Sequence, residues 1–234
     1  MSTSFDRLTT IKELLLQAAN RARRDSSEVE LIAVSKTHPH EAVRELIDSG
    51  HLLFGESRVQ EAKAKIPLLP GKARWHFIGH LQKNKIRQAL PLFEMFHGID
   101  SLETAVDMNR IATETGIRPR MLLEINLAGE VSKFGFSPDK LRAVLEKMLG
   151  LERLQIEGFM TVPPVAPAPE ASRRYFAQLR ELSQAIQSEF KVPLPHLSMG
   201  MSGDFEVAVE EGATLVRVGT AIFGERPANP RGME

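Results

Sequence analysis

The chain contains no cysteine, which removes disulfides, thiolate metal sites and cysteine nucleophiles from consideration. It has no excess charge of either sign. Thirty Lys and Arg balance thirty Asp and Glu over 234 residues, so no global field draws in nucleic acid or anionic lipid. Tryptophan and tyrosine occur once each, so Tyr175 is the sole candidate for a tyrosine base. No apolar run approaches the ~20 residues that span a bilayer, and Met1 to Arg7 lack the apolar segment of a signal peptide. The expected location is the cytoplasm, with no membrane partner. No Walker motif, dinucleotide glycine signature or His/Asp/Glu group with metal-ligand spacing is present, and no metal is expected.

What the chain does have is alternation. Phe5, Leu8, Ile11, Leu14, Leu15 and Ala18 recur at helical spacing, giving an N-terminal helix within residues 1–24 that is expected to cover one end of the fold. Eight short apolar segments follow: Leu31 to Ser35, Leu52 to Gly55, Trp75 to Gly79, Met95 to Ile99, Met121 to Leu127, Ile156 to Val162, His196 to Met201 and Leu215 to Phe223. Helical patterns separate them, at His40 to Asp48, Ser57 to Ile66, Leu81 to Leu90, Leu102 to Thr115, Pro138 to Leu149, Glu170 to Phe190 and Asp204 to Glu211. A last helix, short or ragged, is expected after Gly224. Eight strand–helix units predict an α/β fold, a single TIM-type (β/α)8 barrel with an extra N-terminal helix, forming one domain over 1–234. An open doubly wound sheet is the alternative. The run Pro163 to Pro169 reads as an extended loop on the face where barrels keep their sites.

Lys36 ends the first buried run, just before Thr37-His38-Pro39 and a helix. Strand, lysine, helix is a junction at which α/β proteins place chemistry, although a solvated lysine at a strand end is the commoner case. At the other end of the chain, Leu197-Ser198-Met199-Gly200-Met201 runs into Ser202-Gly203-Asp204, and Leu215-Val216-Arg217-Val218 into Gly219-Thr220-Ala221. Barrels frequently bind phosphate after strands seven and eight, where backbone amides point at the anion. Gly200, Gly203 and Gly219 as turn formers and Ser202 as a helix cap are the plainer alternatives. Arg217 shares a strand face with Gly219. Buried there it needs partners, either a ligand or a carboxylate such as Glu124. A lysine, a phosphate cradle and an inward arginine together suggest a phosphorylated aldehyde.

The residues then resemble a known family. Leu31 to Thr37, Phe54-Gly55-Glu56, Val59-Gln60-Glu61, Trp75 to Gly79, Leu81-Gln82-Lys83-Asn84-Lys85, Leu197 to Ser202 and Val216 to Gly224 are closely similar to those of the pyridoxal phosphate homeostasis (YggS/PROSC) proteins. The resemblance implies a barrel like the N-terminal domain of alanine racemase, with pyridoxal 5'-phosphate (PLP) held as a Schiff base on Lys36. It places Ser202, Gly219 and Thr220 on the phosphate and Arg217 opposite the pyridine nitrogen, with Ser198 and Gly200 in the same motif. Ser57 departs from the pattern, standing where the family has asparagine.

An ordinary lysine, with a pKa near ~10.4, is mostly protonated at neutral pH. Lys36 therefore needs desolvation or a neighbouring cation, for which Arg217 is the candidate. An arginine against the ring nitrogen leaves that nitrogen unprotonated and PLP a poor electron sink. His76 reads either as an inward base at the cofactor or as a hydrogen-bonded core residue. His80 with Lys83 and Lys85 reads as a polar rim or a solvated face. Met160, Met199 and Met201 fit a cofactor cavity or ordinary packing. The expected function is non-catalytic PLP binding for storage, buffering or delivery, affecting amino-acid and vitamin B6 metabolism. PLP-requiring apoenzymes are the expected partners and a monomer the expected state. A PLP enzyme of the amino-acid racemase type and a Schiff-base aldolase are the alternatives.

Overall fold

The computed structural model describes residues 3–130 and 133–225; the outermost residues of the expected 1–24 helical segment and 1–234 domain fall outside these. The eight apolar segments form β1 (Glu30–Val34), β2 (Leu53–Glu56), β3 (Arg74–Phe77), β4 (Met95–Ile99), β5 (Arg120–Glu124), β6 (Gln155–Met160), β7 (His196–Ser198) and β8 (Leu215–Val218). They pair in parallel and in sequence order, and β8 returns to β1, so the sheet is a closed barrel rather than an open one.

Alternation along each strand divides the apolar side chains into two layers. Ile32, Val34, Leu53, Met95, Leu122, Met160 and Leu215 pack together inside the barrel. Leu31, Ala33, Val216 and Val218 belong to the larger layer between sheet and helices. Burying one such side chain is worth ~1.5–3 kcal/mol. Register is thereby fixed, since a one-residue slip would exchange the two sets.

The outer layer holds α1 (Ser4–Arg21), α2 (His40–Asp48), α3 (Val59–Lys65), α4 (Ile86–Ala89), α5 (Leu102–Thr115), α6 (Pro138–Leu149), α7 (Arg173–Phe190), α8 (Phe205–Glu210) and α9 (Thr220–Phe223). Three of these, α2, α5 and α6, keep the bounds read from periodicity. The Ser101 and Ser137 hydroxyls accept from the amides of Thr104 and Lys140, and Pro138 sits where no intrahelical N–H is needed. Elsewhere the helical patterns shorten. The segment after β3 divides into a 3₁₀ turn at Lys83–Lys85 and the four-residue α4, and Pro169–Ser172 is a 3₁₀ turn ahead of α7.

Two expectations are corrected. The last apolar run is not one strand, because Gly219, at φ −114° and ψ −80°, leaves extended geometry. Its second part is α9, and the short helix expected after Gly224 falls outside the described residues. The N-terminal helix does not cover an end of the barrel; it packs against α8, α9 and α2 in the outer layer. Its Leu8, Ile11, Leu15, Ala18 and Ala19 are buried, and Arg7 Nε donates to the Ile222 carbonyl of α9 at 2.6 Å. With α9 only one turn long, α1 supplies the missing cover over the β8–β1 seam. Among the described residues no helix is long and apolar enough to cross a membrane, and no group of three or more His, Asp or Glu side chains gathers as a metal site.

Candidate functional site

The sequence places Lys36 two residues beyond Val34, and Ile32 and Val34 both face the barrel interior. Lys36 lies in the turn that follows β1, at the C-terminal end of that strand. The turn that carries it is held from both sides. Ser35 is fully buried, its amide donates to the Gly55 carbonyl, and its hydroxyl donates to Glu56 Oε1 at 2.7 Å. Lys65 Nζ uses all three donors on this corner, to Ser35 O at 2.9 Å, Glu56 Oε1 at 2.6 Å and Glu61 Oε1 at 2.7 Å. Glu61 Oε1 also accepts from the Thr37 amide at 2.6 Å. Thr37 sits at φ +68°, a left-handed conformation uncommon for a β-branched residue. Such strain persists only where the surroundings enforce it, and Glu61 does so. Burial pushes the Glu56 carboxyl above its usual value, while Lys65 and the Ser35 hydroxyl pull it back.

Beside this turn lie the chain segments after β7 and β8. Strand β1 pairs with β8 through Ile32 opposite Arg217 and Ala33 opposite Val218. A Cβ on Gly219 would stand 3.3 Å from the Val34 carbonyl oxygen. His38 stacks on Phe223 of α9, with ring centroids 4.9 Å apart. Ser202 does not cap the following helix, whose N-cap is Asp204. Its hydroxyl instead accepts from the amides of Gly219 at 3.2 Å and Ala221 at 3.4 Å. Thr220 is exposed at the first position of α9. Ser202, Gly219 and Thr220 thus form one polar cluster next to the Lys36 turn.

Arg217 is buried inside the barrel, where its Nη1 donates to Ser198 O at 3.1 Å and Ser198 Oγ at 2.6 Å and its Nη2 donates to Thr161 O at 3.0 Å. Glu124 and Asp204 act on it through their fields, and among the described residues it makes no ion pair with either. Burial lowers its pKa to about 10, still a cation at neutral pH. Ser198 Oγ lies 2.8 Å from His97 Nδ1, and His97 Nε2 lies 3.0 Å from His76 Nδ1. Both rings are buried. Desolvation lowers His76 to about 3 and holds His97 well below its usual value, so both are neutral.

The other expected residues divide. Met160 is paired with Ser198 in register and packs in the interior cluster. Gly200 turns the chain at φ +90°, where a Cβ would come within 2.5 Å of Ala208 Cβ, and its carbonyl accepts from the Arg217 amide at 3.0 Å. Ser57 is half-buried after β2 and lines a groove with Arg58, Gln60, His80 and Lys85; among the described residues no hydrogen bond joins it to Ser202 or Arg217. His80 pairs with Asp100 at 2.9 Å and stacks on Phe134 with centroids 3.9 Å apart. Tyr175 lies on α7, its hydroxyl accepting from Arg174 at 2.8 Å, outside the barrel.

The alanine racemase N-terminal domain family model matches residues 8–227. A pyridoxal phosphate homeostasis protein of Aquifex aeolicus is 42% identical over 222 residues, 94% of this chain and 97% of that protein. The chain belongs to the pyridoxal phosphate homeostasis protein family. The Pseudomonas aeruginosa member is 40% identical, with 97% of each chain covered. The solved structure of PipY from Synechococcus elongatus, with PLP bound, superposes with a TM-score of 0.80 at 41% identity, covering 92% of this chain and 100% of that one.

Two parts of the candidate site escape sequence reading. Glu56, Lys65 and Glu61 sit in segments quoted for the resemblance or just beyond it, and the Glu61/Lys65 spacing of four residues resembles an ordinary surface pair. His97 occupies an inward position two residues after Met95, a signal present in the strand but unremarkable until His76 and Ser198 are seen against it.

Proposed function

We propose that this protein binds PLP at the mouth of its barrel and holds, buffers or delivers it without a robust reaction of its own, the aldehyde being joined to Lys36 as a Schiff base. The observation that carries this reading is the seam between β1 and β8, which brings the Lys36 turn beside the Ser202–Gly219–Thr220 cluster with Arg217 buried between. The donor set fits the cofactor. An amine suits the aldehyde, amides and hydroxyls suit the phosphate, and a guanidinium suits an unprotonated ring nitrogen. Naming of the relatives as homeostasis proteins and the PLP in PipY support the same reading.

Bound PLP supplies an electron sink for carbon acids. The residues around the proposed site support carriage rather than turnover. Arg217 remains a donor at neutral pH and gives the ring nitrogen no proton. His76 is neutral, and its Nδ1 is occupied by His97. Tyr175 is outside the barrel on α7. A proton exchange on both faces of a bound amino acid needs an acid and a base, and among the described residues the face opposite Lys36 has no evident candidate. PLP-requiring apoenzymes are the receivers this reading implies, with the protein acting as a cytoplasmic monomer.

The test is to incubate the PLP-loaded protein with L-alanine in deuterated water. We expect no rapid multi-turnover deuterium incorporation at Cα; such incorporation, lost in His76→Ala, would make the protein an enzyme of the racemase type. The phosphate assignment has its own test. Thr220→Ala should weaken PLP by ~1–3 kcal/mol, the usual value of a hydrogen bond to a charged group, and pyridoxal far less. Equal weakening of both ligands places the phosphate elsewhere.

A further inference from the structure

A chain of hydrogen bonds crosses the barrel interior from β3 and β4 to β7 and β8: His76 to His97 at 3.0 Å, His97 to Ser198 Oγ at 2.8 Å, and Arg217 Nη1 to the same Oγ at 2.6 Å. Its polarity can be derived. Arginine only donates, so Ser198 Oγ accepts from Arg217 and retains one hydrogen. If that hydrogen goes to His97 Nδ1, His97 carries its proton on Nε2 and donates to His76 Nδ1. The unpaired group is then His76 Nε2–H, and His76 Nε2 is indeed a buried atom without a partner. If both rings are reversed, the Ser198 hydrogen loses its acceptor and His76 Nε2 is still unpaired. The first arrangement leaves one group unsatisfied and the second leaves two, so the first holds.

Polarised this way, the chain acts on Arg217. Three of the five N–H donors of a guanidinium are committed here, both on Nη1 to Ser198 and one on Nη2 to Thr161. Nε–H and the other Nη2–H make no hydrogen bond among the described residues. Among the described residues no carboxylate forms an ion pair with the group, although Glu124 and Asp204 act on it through their fields.

We propose that His97 is a positioning residue: through Ser198 it locks the Nη1 side of Arg217 to the barrel wall and so presents the Nε side to the ligand, selecting a heteroaromatic ring whose nitrogen carries a lone pair. The inference rests on PLP being the ligand. It adds that the site distinguishes ligands by the state of the ring nitrogen, and that two buried neutral histidines set this selectivity without touching the ligand.

Two measurements test it. In the ligand-free protein, long-range nitrogen–proton NMR correlations of the imidazoles should show His97 and His76 both neutral and protonated on Nε2; a proton on His97 Nδ1 overturns the relay whatever the ligand is. In the second, wild type is titrated with PLP and with N-methyl-PLP, whose quaternised ring nitrogen has no lone pair. Wild type should prefer PLP by about tenfold or more, the value of a hydrogen bond to a charged group, and Ser198→Ala and His97→Gln should each shrink that preference by roughly threefold or more. If His97→Gln does not fold, Ser198→Ala, which keeps the strand and its carbonyl, carries the comparison. Equal loss of both ligands would show a merely structural role and sink the proposal. Failure of wild type to bind either ligand would instead remove the PLP reading, leaving the imidazole tautomers to decide the relay.

Discussion

Replacing Lys65 with methionine should destabilise the protein by ~3–5 kcal/mol at neutral pH, as expected when one partner of a buried pair is removed. Methionine fills much of the same volume, so the loss comes from charge. Glu56 Oε1 would lose the Lys65 ammonium at 2.6 Å while keeping the Ser35 hydroxyl at 2.7 Å, and Glu56 Oε2 already has no hydrogen-bond partner. The sign with pH follows from the raised folded-state value of Glu56. A carboxyl whose pKa is higher folded than unfolded takes up protons on folding, so its penalty is absent below the unfolded value of ~4.3 and grows as pH rises through the folded one. Lys65→Met removes a pull that lowers the Glu56 value, widening that window upward. Chemical denaturation at pH 5 and pH 7 should therefore show the larger deficit at pH 7. Adding Glu56→Gln should recover much of it; an unchanged deficit would mean that packing around Lys65, not ion pairing, holds the corner.

Gly158→Ala should cost more than ~4 kcal/mol, at the extreme of single-substitution effects, and leave little folded protein. Gly158 pairs with His196 across β6 and β7, at φ +151°, and a Cβ there would lie 1.8 Å from the His196 carbonyl oxygen. The obstructing atom is backbone in a paired strand, so no rotamer change relieves the contact. The same pairing sets Met160 opposite Ser198, so any survivor should also have lost the Ser198 link to Arg217. Gly71→Ala is the control, since nothing lies within 4 Å of its added Cβ, and it should stay within ~0.5 kcal/mol of wild type. Circular dichroism and denaturation midpoints of the two variants decide the comparison.

Strands were the most legible part of the fold, because a barrel strand buried on both faces leaves a short continuous apolar run that few other environments produce. Parity then carried Arg217 inward and Val216 and Val218 outward. Leu215 to Phe223 defeated the same reasoning: its apolar character persists through α9, and only the backbone at Gly219 separates strand from helix. The placement of α1 depended on α9 being too short to cover the seam, a fact of packing rather than of either segment's pattern. Of the candidate residues, those whose chemistry is local, such as Lys36 before Thr37 and the glycines after β7 and β8, were the ones the sequence singled out. Ser202 was singled out as a helix cap, but its hydroxyl accepts from the amides of Gly219 and Ala221 rather than capping α8. Glu56, Lys65 and Glu61 converge from β2 and α3 onto Ser35 and Thr37, and His97 meets Ser198 across 101 residues of chain; no periodicity announces such meetings.

The central claim is that Lys36 is the lysine joined to PLP, and reduction followed by peptide mapping tests it most directly. Wild-type protein loaded with PLP is treated with borohydride, digested, and its lysine-containing peptides are weighed. The pyridoxyl label is predicted on the peptide carrying Lys36. Label recovered on Lys65, Lys83 or Lys85 instead, or PLP that remains bound yet cannot be reduced onto the chain, would contradict the account.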